Sequence, residues 1–403
     1  MNFVRPGKSK RNGQVFVMFA IVLPILLTFA GLGIDYAFAY VTRATLSRAI
    51  DAAALAGMRN INQGPTQAKA IALGAFNVNY GVGLGRDSSP PVLNIVFSTD
   101  SGNNTVVNVN ATVAINTFFL RVIGYNTLNV SSSSQVTRPA VIMSLILDKS
   151  GSMNLNGGAR ALPPAVANFL TYFDNATDQV AMVSFSSVAS IDVTMRTNFL
   201  TPITTQVNSL PFGGATFSQA GLLDGQAQIN GVALKPGQNV VKVAVFFTDG
   251  WANTDQDKLN CPPSSLLNFG GCSPPEAALG WCRGVSFMDP TSGSTTYCGA
   301  TVFPAQSAGG AMESLTLANI SNDAMYRAIQ VATSMRAQSV VVYSIGLGNT
   351  ISQSFLQQVA NDPASSSFDP NQPIGQAVFA PTAADLQGVF QTIASQILLR
   401  ITQ

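Results

Sequence analysis

Between Arg11 and Asp35 the chain runs for 23 residues without a charged side chain. The run contains VFVMFAIVLPILLTFAGLGI, from Val15 to Ile34. A helix of that length rises about 30 Å, the thickness of a bilayer's hydrocarbon core. Pro24 falls inside it and predicts a kink, which membrane spans tolerate. Arg5, Lys8, Lys10 and Arg11 all precede the run, so the positive-inside bias assigns residues 1–12 to the cytoplasm. Residues 13–35 are the expected span, and everything after it is expected on the far side. A cleaved signal peptide is the competing reading, but its apolar stretch is usually only ~7–15 residues and ends at a small-residue site. No clean A-x-A site follows this run, and a single-pass, uncleaved anchor is the expectation.

Charge excludes several functions. Without the four N-terminal basic residues, 17 Lys and Arg face 19 Asp and Glu. No clustered basic face for nucleic acid is expected on a near-neutral chain. Histidine is absent, which rules out Ser-His-Asp and Cys-His catalysis and any His-based metal site.

After the span, YAFAYVTRATLSRAIDAAALAGM (Tyr36 to Met58) is rich in Ala and free of Gly and Pro until Gly57, so the helix is expected to continue. Arg43, Ser47, Arg48 and Asp51 give it a polar stripe. The whole stretch GLGIDYAFAYVTRATLSRAIDAAALAG, Gly31 to Gly57, resembles the N-terminal module of TadG-like proteins of the tight-adherence (Flp-type) pilus assembly system. The features shared are a Gly-rich exit, the Asp35-Tyr36 pair, Arg43 and the Asp51–Gly57 segment. The resemblance implies a bacterial inner-membrane protein whose bulk is periplasmic or extracellular, with the Flp-type pilus machinery as partner. One departure is that Met18 stands five residues after Gly13, where prepilin processing expects Glu.

Residues 65–78 (PTQAKAIALGAFNV) space Ala, Ile, Leu and Phe as a short helix. Gly81–Pro91 reads as a loop. From Val92 to Val136 apolar and polar residues alternate, with many Val, Ile and Thr, as in a small sheet.

The most specific chemistry begins at Ala140. Val141–Leu147 is a wholly apolar strand, as expected of a central parallel strand covered on both faces. It ends in Asp148-Lys149-Ser150-Gly151-Ser152, whose Asp-x-Ser-x-Ser pattern sets three oxygen-bearing side chains in one short loop. Such hard oxygen ligands suit an octahedral Mg²⁺ that keeps some of its waters. PFGGATFSQAGL (Pro211 to Leu222) then places Thr216 after a Gly-rich turn, and VKVAVFFTDG (Val241 to Gly250) ends a second apolar strand at Asp249. Together these segments resemble the metal-ion-dependent adhesion site of von Willebrand factor A domains.

That resemblance implies metal-site residues Asp148, Ser150, Ser152, Thr216 and Asp249. Ser150, Ser152 and Thr216 would bind directly, Asp148 and Asp249 mainly through waters. Mg²⁺ is the first candidate, with Mn²⁺ or Ca²⁺ as alternatives, and an acidic side chain of a protein partner would fill the open position. As a bland alternative, Thr216 could simply cap the helix that follows.

The remaining pattern alternates strands and helices: a helix at Pro163–Phe173, a strand from Gln179, an edge strand IDVTMR (antiparallel, as the resemblance to A-type domains implies), a helix at Asp323–Gln338, a strand SVVVYSIGLG, a short strand VFAPT and a closing helix. It predicts a parallel sheet with helices on both faces. Residues 251–320 interrupt it and hold Cys261, Cys272, Cys282 and Cys298, whose spacing suits two disulfides better than a zinc site. Their connectivity stays open. Trp251 and Trp281 lie there too, either packing a small satellite core or overhanging the metal face.

The expected fold class is α/β: an N-terminal transmembrane, pilin-like helix, a small β-rich middle region (36–138 with the helix) and a C-terminal doubly wound, Rossmann-like von Willebrand factor A domain (139–403). The expected function is a non-enzymatic, metal-dependent binding or adhesion protein tethered to the membrane. A structural, minor-pilin-like component with the A-type domain as spacer is the alternative. A metal-dependent hydrolase is disfavoured, because only Lys149 and Asp224 lie near the site in sequence as general bases.

Overall fold

The computed structural model describes residues 12–81, 85, 87–102, 104–257, 317–349 and 351–401, with five short strands between 277 and 314. The four cysteines and Trp281 lie outside the described residues. The chain forms two compact units, one of Met1–Ser98 with Val106–Thr137 and one of Thr99–Thr105 with Arg138–Gln403.

The first unit is organised by α1 (Asn12–Arg59), a single helix that passes through Pro24 and carries the apolar run directly into the fold. It is long and apolar enough to cross a membrane. Every side chain from Phe16 to Ala30 is exposed, whereas Leu46, Ala49, Ile50, Ala53 and Ala54 are fully buried. The buried stripe packs on Ala68, Ala72 and Phe76 of α2 (Pro65–Tyr80) and on the inward-facing Val107, Val109, Ala111, Val113 and Ile115 of β2. β2 (Thr105–Asn116) is the middle strand of a three-stranded sheet, between β1 (Val92–Thr99) and β3 (Thr127–Arg138). Small residues let α1 and α2 approach closely: a Cβ at Gly57 would lie 3.1 Å from that of Ala72.

Asp35 is 2% exposed and anchors α1 to the β2–β3 loop. Its Oδ1 accepts from the Phe118 N–H at 2.9 Å, and its Oδ2 accepts from Phe119 and Leu120 at 2.8 and 2.9 Å. The carboxylate thereby satisfies the free N–H groups at the start of a 3₁₀ turn, Leu120–Ile123.

The second unit is built on a six-stranded sheet. Its strands are β4 (Ala140–Asp148), β5 (Gln179–Phe185), β6 (Ala189–Arg196), β7 (Val240–Thr248), β14 (Val340–Leu347) and β15 (Ala377–Ala380), in the order β15-β14-β7-β4-β5-β6. All neighbours are parallel except the edge pair β5–β6. Three small antiparallel pairs, β8–β13, fall between Asp255 and Ser314.

Every residue of β4 is buried, and its alternation feeds two cores. Val141, Met143, Leu145 and Leu147 face α4 (Gly158–Leu170), α5 (Leu200–Asn208) and α9 (Leu386–Ile401). Ile142 and Ile146 face α6 (Ser218–Asn230), α7 (Leu317–Ala337) and α8 (Gln353–Ala360). The chain leaves β4 toward β5 and later returns to β4's other side as β7, so the C-terminal ends of β4 and β7 flank a topological switch point, where open α/β sheets place ligands.

The sequence expectation includes neither α5 nor α8, and it misplaces the start of α4. The helix after the first site loop does not start at Pro163 but five residues earlier, so Pro163 and Pro164 lie inside it. The extra turn is held because Leu162 is fully buried in the core and Gly158 sits where a Cβ would come 2.8 Å from Met153 and Leu347. That packing outweighs the two backbone donors the prolines lack.

The start of β4 is pinned by a buried ion pair. Arg138 donates to both oxygens of Asp178 at 2.8 and 2.7 Å, and Asp178 also accepts from the N–H groups of Val141 and Asp174, each at 2.8 Å. Asp178→Ala should cost about 3–5 kcal/mol, because it strands a buried guanidinium. The readout is a lowered thermal midpoint in detergent, and adding Arg138→Met should recover only the part due to the stranded guanidinium, because the Val141 and Asp174 N–H groups stay unpaired.

Candidate metal centre

Asp148 is the last residue of β4 and, in the strand register, follows the pair Leu147–Phe247 of β4 and β7. Thr248, at the end of β7, donates its hydroxyl to Asp148 Oδ2 at 2.6 Å. The loop after β4 turns back at once, and the Ser150 N–H donates to Asp148 Oδ1 at 2.7 Å. This turn brings the Ser150 and Ser152 hydroxyls within 3.0 Å of each other. Ser152 then starts a single helical turn, α3 (Ser152–Leu155), and donates to Asp249 Oδ1 at 2.6 Å. Asn156 donates to Asp249 Oδ2 at 3.0 Å. Four of the five expected residues, Asp148, Ser150, Ser152 and Asp249, are therefore joined by direct contacts or through Thr248.

Thr216 joins through the backbone. The Gly151 N–H donates to the Gly214 carbonyl at 3.0 Å, and the Gly213 N–H to the Lys149 carbonyl at 2.8 Å, lacing the second loop to the first. Asn253 clamps Thr216 from the third loop: its Oδ1 accepts the Thr216 N–H at 2.8 Å, and its N–H donates to the Thr216 carbonyl at 3.1 Å. Thr216 does not cap α6, which begins at Ser218 without a side-chain cap. Gly214 has a φ of +87°, and a Cβ there would lie 2.7 Å from Ser187 Oγ, so the turn that presents Thr216 demands glycine.

The electrostatics are unbalanced. Burial pushes the Asp148 carboxyl up to about 7, and the charge of Asp249 adds to the effect, against hydrogen bonds from Thr248 and Ser150 that lower it. Burial raises Asp249 as well, opposed by its bonds from Ser152 and Asn156. Among the described residues neither carboxylate ion-pairs with Lys or Arg. Lys149 turns away and donates to Ser190 at 3.0 Å. Two desolvated carboxylates ringed by hydroxyl oxygens are a donor set suited to a hard divalent cation. Among the described residues no three or more Asp, Glu, His or Cys side chains cluster, so any such ion would depend on the hydroxyls and on water.

Sequence reasoning missed Thr248, Asn156 and Asn253, which hold the expected residues in place. Thr248 could have been picked out as the neighbour of Asp249 at the strand end. The two asparagines carry no pattern of their own.

Residues 143–264 match the family model of the von Willebrand factor type A domain. That range contains all five expected site residues. Residues 13–60 match a second model, the putative Flp pilus-assembly TadE/G-like family. No curated protein sequence matches the chain. Among solved structures, similar chains include the pilus adhesin SpaC from Lactobacillus rhamnosus GG in an open conformation, at 18% identity and a TM-score of 0.43. The match covers 78% of this chain but only 35% of SpaC. The PilB minor pilin from Streptococcus sanguinis is 14% identical, with a TM-score of 0.41 and coverage of 77% and 79% of the two chains. Proximal thread matrix protein 1 from the mussel byssus, solved with a zinc-occupied MIDAS motif, is 14% identical, with a TM-score of 0.38 and coverage of 65% and 46%. A-type domains with this motif bind divalent cations.

The raised Asp148 carboxyl has a stability consequence in metal-free protein. A carboxyl whose folded pKa exceeds its unfolded value stabilises the fold while protonated, and that contribution disappears as pH rises through the folded pKa. The thermal midpoint in EDTA should therefore fall steadily as pH rises from the ordinary carboxylate range, about 4, to about 7, and level off above it. Asp148→Asn should flatten this profile; an unchanged slope in that variant would assign the effect elsewhere.

Proposed function

We propose that the chain is a bacterial inner-membrane protein, anchored by residues 13–35 with its N-terminus cytoplasmic. Its A-type domain, periplasmic or extracellular, binds a protein partner in a metal-dependent way and performs no catalysis. One observation carries the reading: Asp148 and Asp249 are both fully buried at the ends of adjacent strands, among neutral donors alone. Ser150, Ser152 and Thr216 would hold the ion directly, with Asp148 and Asp249 acting through waters. A divalent cation, Mg²⁺ in the first instance, would supply the positive charge this cluster lacks and an exchangeable position for a carboxylate of the partner. The match of residues 13–60 to the TadE/G-like family supports a partner within the Flp-type pilus machinery.

What surrounds the site fits docking better than chemistry. Lys149 donates to Ser190 and not to either site carboxylate, which supports a docking reading. Trp251, two residues beyond Asp249, is half-exposed, and Leu155 at the end of α3 is largely exposed. An exposed Trp beside a charged centre suits a binding hot spot.

Mg²⁺ should raise the thermal midpoint of the full-length protein, and Asp249→Ala should abolish that rise. Affinity capture with the same protein should retain the partner in Mg²⁺ and lose it in EDTA, with Asp148→Ala weakening capture about tenfold or more. Trp251→Ala should weaken capture while leaving the Mg²⁺-induced stabilisation intact. Capture unaffected by both EDTA and Asp148→Ala would leave the domain a spacer.

A further inference from the structure

The β2–β3 loop carries five large apolar side chains within eight residues: Phe118 (60% exposed), Phe119 (42%), Val122 (82%), Ile123 (56%) and Tyr125 (65%). None belongs to the core of the first unit. Such a cluster exceeds the scattered apolar exposure of ordinary surfaces and marks an interaction site.

Its position is fixed by α1. Asp35 accepts hydrogen bonds from the N–H groups of Phe118, Phe119 and Leu120, and the Phe119 ring lies where a Cβ at Gly31 would collide with it. Gly31 stands one helical turn before Asp35, about 6 Å back along the helix toward the apolar run. The exposed run from Phe16 to Ala30 is therefore continuous with the exposed face of the loop.

We infer that this loop lies in the interfacial layer of the bilayer that α1 crosses, giving the protein a second membrane contact beside its span. The inference rests on the proposed anchor, because whatever medium surrounds Gly31–Ile34 also surrounds Phe119. The loop's backbone suits that medium. Besides the three donors bound by Asp35, the N–H groups of Thr117, Val122, Gly124 and Tyr125 bond to carbonyls within the loop, at 3.0–3.1 Å. A loop with most of its donors paired within the fold loses less on leaving water. Phe and Tyr side chains favour the interface, and Arg121, the loop's only charged residue, is exposed and suited to lipid phosphate. Two contacts, one spanning and one lateral, would fix the rotation of α1 about its own axis as well as its depth.

The test uses the full-length protein in liposomes, with Trp251→Phe and Trp281→Phe removing the native tryptophans. Single tryptophans are then introduced as Leu26→Trp in the span, Phe118→Trp in the loop and Leu55→Trp, about 30 Å along α1 beyond Asp35. Lipids brominated on their acyl chains should quench positions 26 and 118 by roughly twofold or more and leave position 55 unaffected. Aqueous iodide should show the opposite pattern. Tyr125→Trp is a second loop position should Phe118→Trp disturb the fold, and it should behave like position 118. Quenching at 26 without quenching at 118 or 125 would overturn the loop contact and leave the anchor standing. No quenching at 26 would overturn both. Loop tryptophans shielded from iodide, blind to brominated lipid and sensitive to the protein-to-lipid ratio would overturn it too, assigning the face to a second copy of the chain.

Discussion

Asp148 ends a strand with no exposed residue, so its carboxylate must sit where water cannot solvate it. A buried charge is tolerable only if hydrogen bonds and counter-charge replace the lost hydration. The protein supplies the hydrogen bonds, from the Thr248 hydroxyl and the Ser150 N–H, but sets a second buried carboxylate, Asp249, within range to oppose them. The loops around this point are arranged to satisfy those two residues. The β4 loop bends back because Asp148 takes the N–H of Ser150, two residues on, and Ser152 crosses to Asp249. What the arrangement lacks is positive charge, and that is what the proposed cation would supply.

The opposite end of the same strand shows what a completed buried carboxylate looks like. Asp178 has a guanidinium on both oxygens and two backbone N–H groups besides. It fixes where β4 begins, while Asp148 governs where it ends. One end of the central strand is closed electrostatically and the other open, which is how a scaffold can be rigid and still keep one reactive edge.

Much of this was legible in the residues. Strands buried on both faces announce themselves as unbroken apolar runs, and their polar ends mark the ligand edge, so β4, β7 and the positions of Asp148 and Asp249 could be read directly. The edge strand and the long helix through Pro24 were equally visible, while the strand's antiparallel direction came from the family resemblance alone. The start of α4 was not, because the prolines' lack of donors is a local signal and the burial of Leu162 is a tertiary one. Asn156 and Asn253 were invisible for a related reason. An asparagine's role depends on which backbone or carboxylate folds up to it, and that is decided by loop closure rather than by spacing. The cysteines of the insertion lie outside the described residues.

Asp35 illustrates the same limit with a functional edge. Its partners are backbone groups more than 80 residues further on, at the tip of a hairpin. A charge at the end of an apolar run reads as the point where a span meets water. In the fold that charge is spent on the loop's N–H groups, so the polar boundary is moved further along the helix. On the anchored reading, no flexible linker separates bilayer from domain. Leu46, the first fully buried core residue of α1, stands only 11 residues, about 16 Å, beyond Asp35 on one continuous helix. The first unit would then be held at a fixed height above the bilayer.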